Sequence, residues 1–118
     1  MTSFAIGLIL FIALAHSYLG ERYLLIRLFR QPLPKLFGSD DFTRKTLRFA
    51  WHITGVAWLG FAALLSRVNT SGVSRSELLT IIGLTFGITG AIALVASRGR
   101  HLSWLVFGGI SLACLAAA

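Results

Sequence analysis

Apolar residues form four long stretches along the chain, separated by short polar segments. The stretches cover residues 3–19, 46–65, 78–96 and 102–118. A helix that crosses a bilayer needs about 20 mostly apolar residues, and each stretch approaches or reaches that length. They leave no room for a water-soluble domain. The pattern therefore predicts one all-α integral membrane domain over residues 1–118, an antiparallel four-transmembrane-helix bundle.

The connection between the first and second stretches predicts an amphipathic helix. From Glu21 to Arg30, apolar and basic residues alternate in a way that suits a helix at the headgroup boundary. Two prolines within residues 31–34 end it, because proline fixes the backbone and removes a donor. Ser39 or Asp40 can cap a new helix. The second membrane helix is therefore predicted to begin near Asp41.

The other two connections are short. Ser74 and Glu77 have the spacing of a capping box, which predicts a helix start and a structural role for Glu77. Residues 97–100 form a tight turn, so the third and fourth helices are predicted to be antiparallel neighbours.

The third stretch carries a face of small residues, which predicts close helix packing. Gly83, Gly87 and Gly90 lie on one side of this helix. Such spacing lets two backbones approach closely in lipid. The face is expected to pack inside the bundle, with a second subunit as the alternative.

Composition agrees with the membrane class. Hydrophobic residues make up 56% of the chain and charged residues only 13%, against roughly 25% charged residues in soluble domains. Residues 1–4 lack the basic start of a signal peptide, so the first stretch is expected to be a retained helix. The single cysteine, Cys114, has no intrachain disulfide partner.

The net charge of +7 reflects membrane orientation. Nine of the eleven Lys and Arg residues lie in or beside the first and third connections, and only Arg67 and Arg75 border the second. The positive-inside rule then predicts cytoplasmic basic loops and non-cytoplasmic termini. The basic rim is expected to attract anionic lipid headgroups. The basic residues form no patch interleaved with exposed aromatics, so nucleic acid is excluded as a partner.

Three histidines and one carboxylate lie at the same predicted membrane depth. His16 ends the first stretch, His52 begins the second, His101 begins the fourth, and Glu21 lies on the same side. Each histidine shares a helical stripe with a glycine and is expected to face a helix contact. Imidazole is a frequent ligand of transition metals. The four residues are therefore a candidate site for zinc, iron, copper or haem.

Other polar and aromatic residues near this edge are candidate cofactor contacts. The tryptophans fit a porphyrin or hydrophobic pocket, and the arginines fit a phosphate or propionate; the set is Arg48, Trp51, Trp58, Arg100 and Trp104. The competing interpretation is structural. Histidine, tryptophan and arginine are all common at membrane interfaces, where they need no ligand.

Two functions remain as hypotheses. One is a metal- or haem-binding membrane protein that acts on a lipid-soluble substrate. The other is a non-enzymatic accessory subunit of a larger membrane complex, or a homo-dimer. Small multidrug exporters are similar only in size, because they need a carboxylate in the first span and residues 1–20 contain none. No phosphoryl- or acyl-transfer motif is present. The sequence therefore names no reaction, and whether the protein is an enzyme stays open.

Overall fold

The computed structural model describes residues 2–70 and 72–118, and every regular element in those ranges is helical. Helix α1 is followed without a break by a π-helical segment, Gly20–Leu25, which we call the π segment, and by the short helix α2. The α-helices are α1 (Thr2–Leu19), α2 (Ile26–Leu28), α3 (Asp41–Thr70), α4 (Arg75–Ser97) and α5 (Ser103–Ala116).

In the part of the chain that the structure describes, three helices are long and apolar enough to cross a membrane. They are Thr2–Leu28, Asp41–Thr70 and Arg75–Ser97, with 27, 30 and 23 residues. They contain the first three predicted stretches. The fourth stretch corresponds to α5, which has 14 residues and is shorter than the about 20 that a perpendicular crossing needs.

The predicted amphipathic connection is not a separate helix. Leu19, Leu25 and Ile26 all have right-handed helical backbone angles, so residues 20–28 continue α1 as one rod. The rod ends before the prolines, and residues 29–40 return the chain to α3. The position of these residues at the headgroup boundary stays a prediction, and the structure adds that they continue α1 without a break.

The helices lie side by side in one layer, in the order α1, α3, α4, α5. Among the described residues, α1 packs on α3, α3 on α4 and α4 on α5, and no other pair of these four helices meets. The Cα atoms extend over 51 × 32 × 14 Å. Because α1 meets neither α4 nor α5, and α3 does not meet α5, the described helices do not close into a bundle. The predicted bundle is thus an open row.

Small residues set the distances within the row. Ala13 of α1 is buried, and a Cβ added at Gly55 of α3 would lie 3.5 Å from Oγ of Ser17. On the side of α3 that faces α4, a Cβ at Gly60 would lie only 2.5 Å from Oγ1 of Thr85. Both neighbours of α3 therefore approach it where a side chain is missing.

The glycine face of α4 lies against α5. An added Cβ would meet α5 at each of the three positions, at distances of 2.8–3.3 Å; the closest atoms belong to Leu115 at Gly83, Ser111 at Gly87, and Gly108 and Phe107 at Gly90. Small-residue faces allow such backbone approach in lipid. The structure thus places this face inside the chain's own helix row.

The turn between α4 and α5 uses two consecutive residues with positive φ. Arg98 has φ 52° and Gly99 has φ 78°. The Arg98 N–H donates to the carbonyl of Val95, and the Gly99 N–H donates to that of Leu94, which closes the last turn of α4. Glycine normally takes a left-handed position at a helix end, so arginine here is unusual.

The start of α4 follows the sequence prediction. The Ser74 hydroxyl accepts from the N–H of Glu77, and the Glu77 carboxylate accepts from the N–H of Ser74, which confirms the capping box. Arg67, near the end of α3, also pairs with Glu77. Glu77 therefore joins the ends of two helices and has the structural role expected of it.

Polar contacts fix the start of α3 to the preceding connection. Arg44 donates to the carbonyls of Phe29 and Gln31 and pairs with Asp40. The hydrogen bond from Arg44 holds the pKa of the Asp40 carboxyl below its usual 3.8. Because that pKa is lowered by folding, ionised Asp40 stabilises the connection above pH 3.8, and this contribution is lost as the pH falls through the lower folded-state pKa.

We expect Arg44→Gln to raise the pKa of Asp40 back toward 3.8, because glutamine removes the charge that favours the carboxylate. A carboxyl ¹³C NMR titration of Asp40 measures this directly. The control is Lys45→Gln, since Lys45 pairs with Asp41 and not with Asp40. An Asp40 pKa that does not rise in the Arg44 variant would show that this pair does not form.

Candidate functional site

Glu21, Arg48 and His52 form a polar cluster between the π segment and α3. Glu21 Oε1 lies 2.9 Å from Nη2 of Arg48, and its Oε2 lies 3.2 Å from Nε of the same side chain. Nε2 of His52 is also 3.2 Å from Oε2. Arg48 and His52 are four residues apart and so share one face of α3. All three side chains are a third to a half exposed.

The carboxylate of this cluster comes from the π segment. A π-helical turn contains an extra residue and often occurs at functional sites in proteins. Glu21 lies in its first turn. Apart from Gly20, no residue of this segment predicts a π turn. Gly20 has no side chain and so admits a close neighbour from α3.

His16 is held by aromatic contacts. Its ring stacks on Trp51 with centroids 4.4 Å apart and planes within 3°, and Trp58 meets it edge-on at 5.0 Å. Nε2 of His16 donates to the Trp51 carbonyl at 3.3 Å, while Nε1 of Trp51 donates to the His16 carbonyl at 3.1 Å. The Trp51 indole also covers Gly20, where an added Cβ would overlap the ring. This pairing joins α1 to α3.

His101 lies at the turn between α4 and α5. Its Nδ1 is 2.7 Å from Oγ of Ser103, and its backbone N–H donates to Oγ of Ser97. The ring packs edge-on against Phe49 at 5.3 Å and near Phe42 at 6.2 Å. His101 thus helps to organise the start of α5.

The predicted metal ligands His16, Glu21, His52 and His101 therefore occupy three places. Glu21 meets His52, while the other two histidines have separate partners. Within the described residues, no three His, Cys, Asp or Glu side chains form a group that could hold a metal ion. His16 lies between Trp51 and Trp58, whereas the ring of His101 packs on Phe49 and Phe42 of α3, so neither histidine reaches the pair of Glu21 and His52. A shared membrane depth did not bring the histidines together.

The remaining candidate cofactor contacts also have partners within the chain. The guanidinium of Arg100 lies over the ring of Phe37 at 5.8 Å. Nε1 of Trp104 donates to the Gly99 carbonyl at 3.3 Å. Arg48 pairs with Glu21, and both Trp51 and Trp58 surround His16. These contacts account for each residue as a packing or capping element.

An apolar depression, which we call the apolar groove, has a volume of about 340 Å³ and lies between α3, α4 and α5. It includes the threonines 54, 85 and 89, but each hydroxyl donates to a carbonyl of its own helix. The groove therefore offers almost no polar group that could orient a small substrate. Its surface suits an apolar helix or a lipid chain.

No protein-family model, curated protein or solved structure matches this chain. Its function is therefore argued from its own geometry.

Proposed function

We propose that this protein is a non-enzymatic structural subunit that associates with other membrane helices through the open faces of its helix row. The single-layer arrangement carries the proposal. A closed bundle would bury one side of every helix, whereas here both faces of α3 and α4 are left without a helix. Few apolar side chains are buried; among the described residues they are Ala13, Leu25, Phe49, Ala62 and Ala93.

The shape of the surface supports assembly more strongly than the exposure of apolar side chains does. Apolar side chains are at no disadvantage in lipid, so helices associate there through close van der Waals packing. The apolar groove supplies a concave surface for such packing. Part of its wall is formed by Gly60 and Ala57, which have no side chain or a single methyl group and so leave room for a neighbour. A helix ridge can therefore fit between α3 and α4 from that side.

The metal or haem function stays a prediction with less support. Glu21 already accepts from Arg48 and His52, and the ring of His16 is enclosed by two tryptophans. Ligation would have to break these contacts and release His101 from Phe49 and Ser103. Assembly through the apolar groove needs no such rearrangement.

The proposal includes four membrane crossings with the basic connections in the cytoplasm. For the fourth, the support is the position of α5 along α4. Gly90 and Gly83 of α4 meet α5 near its two ends, and Nη1 of Arg75 donates to the carbonyl of Ala117 at 3.1 Å. The end of α5 thus reaches the start of α4. For orientation, the support is the nine-to-two distribution of basic residues.

The test is the mass of the assembly. We expect chemical cross-linking in the native membrane, followed by mass measurement in mild detergent, to give a species larger than the 12.8 kDa chain. Ala57→Trp fills the apolar groove and should abolish that species. Ala113→Trp, at an exposed position of α5 outside the groove, is the matched control and should retain it.

A second variant separates assembly from metal binding. We expect His52→Ala to leave the assembly intact, because His52 lies outside the apolar groove. Loss of the assembly in this variant, together with loss of a bound metal, would instead favour the metal hypothesis. A single-chain mass both in the membrane and in detergent would contradict the proposal.

A further inference from the structure

A second groove lies between the first part of α3 and the last part of α4. We call it the basic groove; its volume is about 470 Å³. Four of its lining residues are basic or can become so, and none is acidic; these are Lys45, Arg48, His52 and Arg98. The rest of the lining is apolar. The groove therefore joins a cationic mouth to hydrocarbon walls.

Only part of this positive charge is compensated. Lys45 pairs with Asp41 at 2.8 Å, and Arg48 pairs with Glu21 at 2.9 Å. Within residues 2–70 and 72–118, Arg98 has no direct ion-pair partner; Asp41, which pairs with Lys45, is the carboxylate that feels its charge. Arg98 also occupies the left-handed position that ends α4, where glycine or asparagine is the usual choice. Arginine thus occurs at a position where the local backbone geometry disfavours most side chains.

The basic groove continues into an apolar trough on the same side of α3 and α4. The trough has a volume of about 270 Å³, and its walls include Val56, Leu59, Ala63, Leu84 and Ile88. His52 and Val56 are one helical turn apart, as are Ile92 and Ile88. From His52 to Ala63 the path is about 16 Å at ~1.5 Å per residue. This matches one leaflet, about half of the ~30 Å hydrocarbon core.

We propose that the basic groove and the trough together bind one anionic phospholipid. Its phosphate pairs with Arg98, and one acyl chain lies along the trough. Charge complementarity selects the lipid class, because an arginine without a direct ion-pair partner attracts an anionic headgroup and opposes the cation of a zwitterionic one. The length of the trough favours a lipid over free phosphate. This site is on the opposite side of α3 and α4 from most of the apolar groove and does not depend on the assembly proposed above.

Native mass spectrometry of the full-length protein in detergent tests the site. The probes are phosphatidylglycerol and phosphatidylcholine with identical acyl chains, and inorganic phosphate as competitor. We expect retained phosphatidylglycerol, little phosphatidylcholine, and no displacement by phosphate. Arg98→Asn should lower the retained anionic lipid about tenfold, the effect of losing a charge-assisted hydrogen bond. Asparagine tolerates the left-handed backbone, so the fold is kept.

Arg30→Asn is the matched control. Arg30 is exposed, lies in a turn at the same end of the molecule, and does not line the groove. We expect it to retain the lipid. An equal loss in both variants would mean that the basic rim attracts lipid without a defined site. Equal retention of the two lipids, displacement by phosphate, or no retained lipid would each overturn the proposal.

Discussion

Gly20→Ala is expected to destabilise the protein by about 1–3 kcal/mol, the usual range for overpacking. A Cβ at this position overlaps the indole of Trp51. The ring cannot move aside freely, because it stacks on His16 and donates a hydrogen bond to the His16 carbonyl. Alanine is the better helix former by about 1 kcal/mol. The rigid contact outweighs that gain, so the net effect is a loss.

Gly7→Ala is the control for this prediction. Gly7 lies in the same helical rod, and nothing lies within 4 Å of the Cβ that would be added there. We expect the variant to be neutral or slightly more stable. Unfolding by SDS, followed by circular dichroism, gives both free energies. A Gly20 variant as stable as the Gly7 variant would show that Trp51 does not pack on the rod.

The second large effect is expected at Gly90→Leu, which should destabilise the protein by about 3 kcal/mol. The atoms facing Gly90 include the backbone nitrogen of Gly108 and the carbonyl oxygen of Trp104, at 3.3 and 3.5 Å from an added Cβ. Backbone atoms cannot rotate away as a side chain can. A leucine must therefore push α5 off α4, which opens the hairpin.

Gly109→Leu makes the same substitution at an open position of α5. Nothing lies within 4 Å of a Cβ added at Gly109, so we expect a change within about 0.5 kcal/mol. The same SDS unfolding measurement compares the two variants. Comparable losses at both positions would mean that leucine disturbs the hairpin through some cause other than the contact between α4 and α5.

Helix positions were predictable from the sequence because they depend on local chemistry. The start of α3 at Asp41 and the capping box at Ser74 both follow from residues within one turn. The prolines ended the first rod as expected. The alternation of basic and apolar residues after Gly20 predicts a position at the headgroup boundary, and that position stays a prediction. Nothing in that alternation shows that a π turn carries the helix onward.

The lateral arrangement of the helices could not be predicted from the pattern of apolar and polar residues. In water, an apolar stripe marks the side of a helix that faces the core. In lipid, apolar residues can lie on every side, so the pattern does not choose between a bundle and a row. For the same reason, the predicted membrane depth of His16, His52 and His101 is the same, but it does not show which of them meet. The contact of Glu21 with His52 depends on the π segment, and the stack of His16 on Trp51 depends on Gly20.

The open row has a consequence for how the protein is made. Each long helix packs on the one that precedes it in the chain: α3 on α1, α4 on α3, and α5 on α4. No early helix has to remain unpaired until the last one is synthesised. Contacts between consecutive elements also keep the intervening loops short, which lowers the entropy lost when they close. The helices can therefore pack in the order in which the ribosome synthesises them.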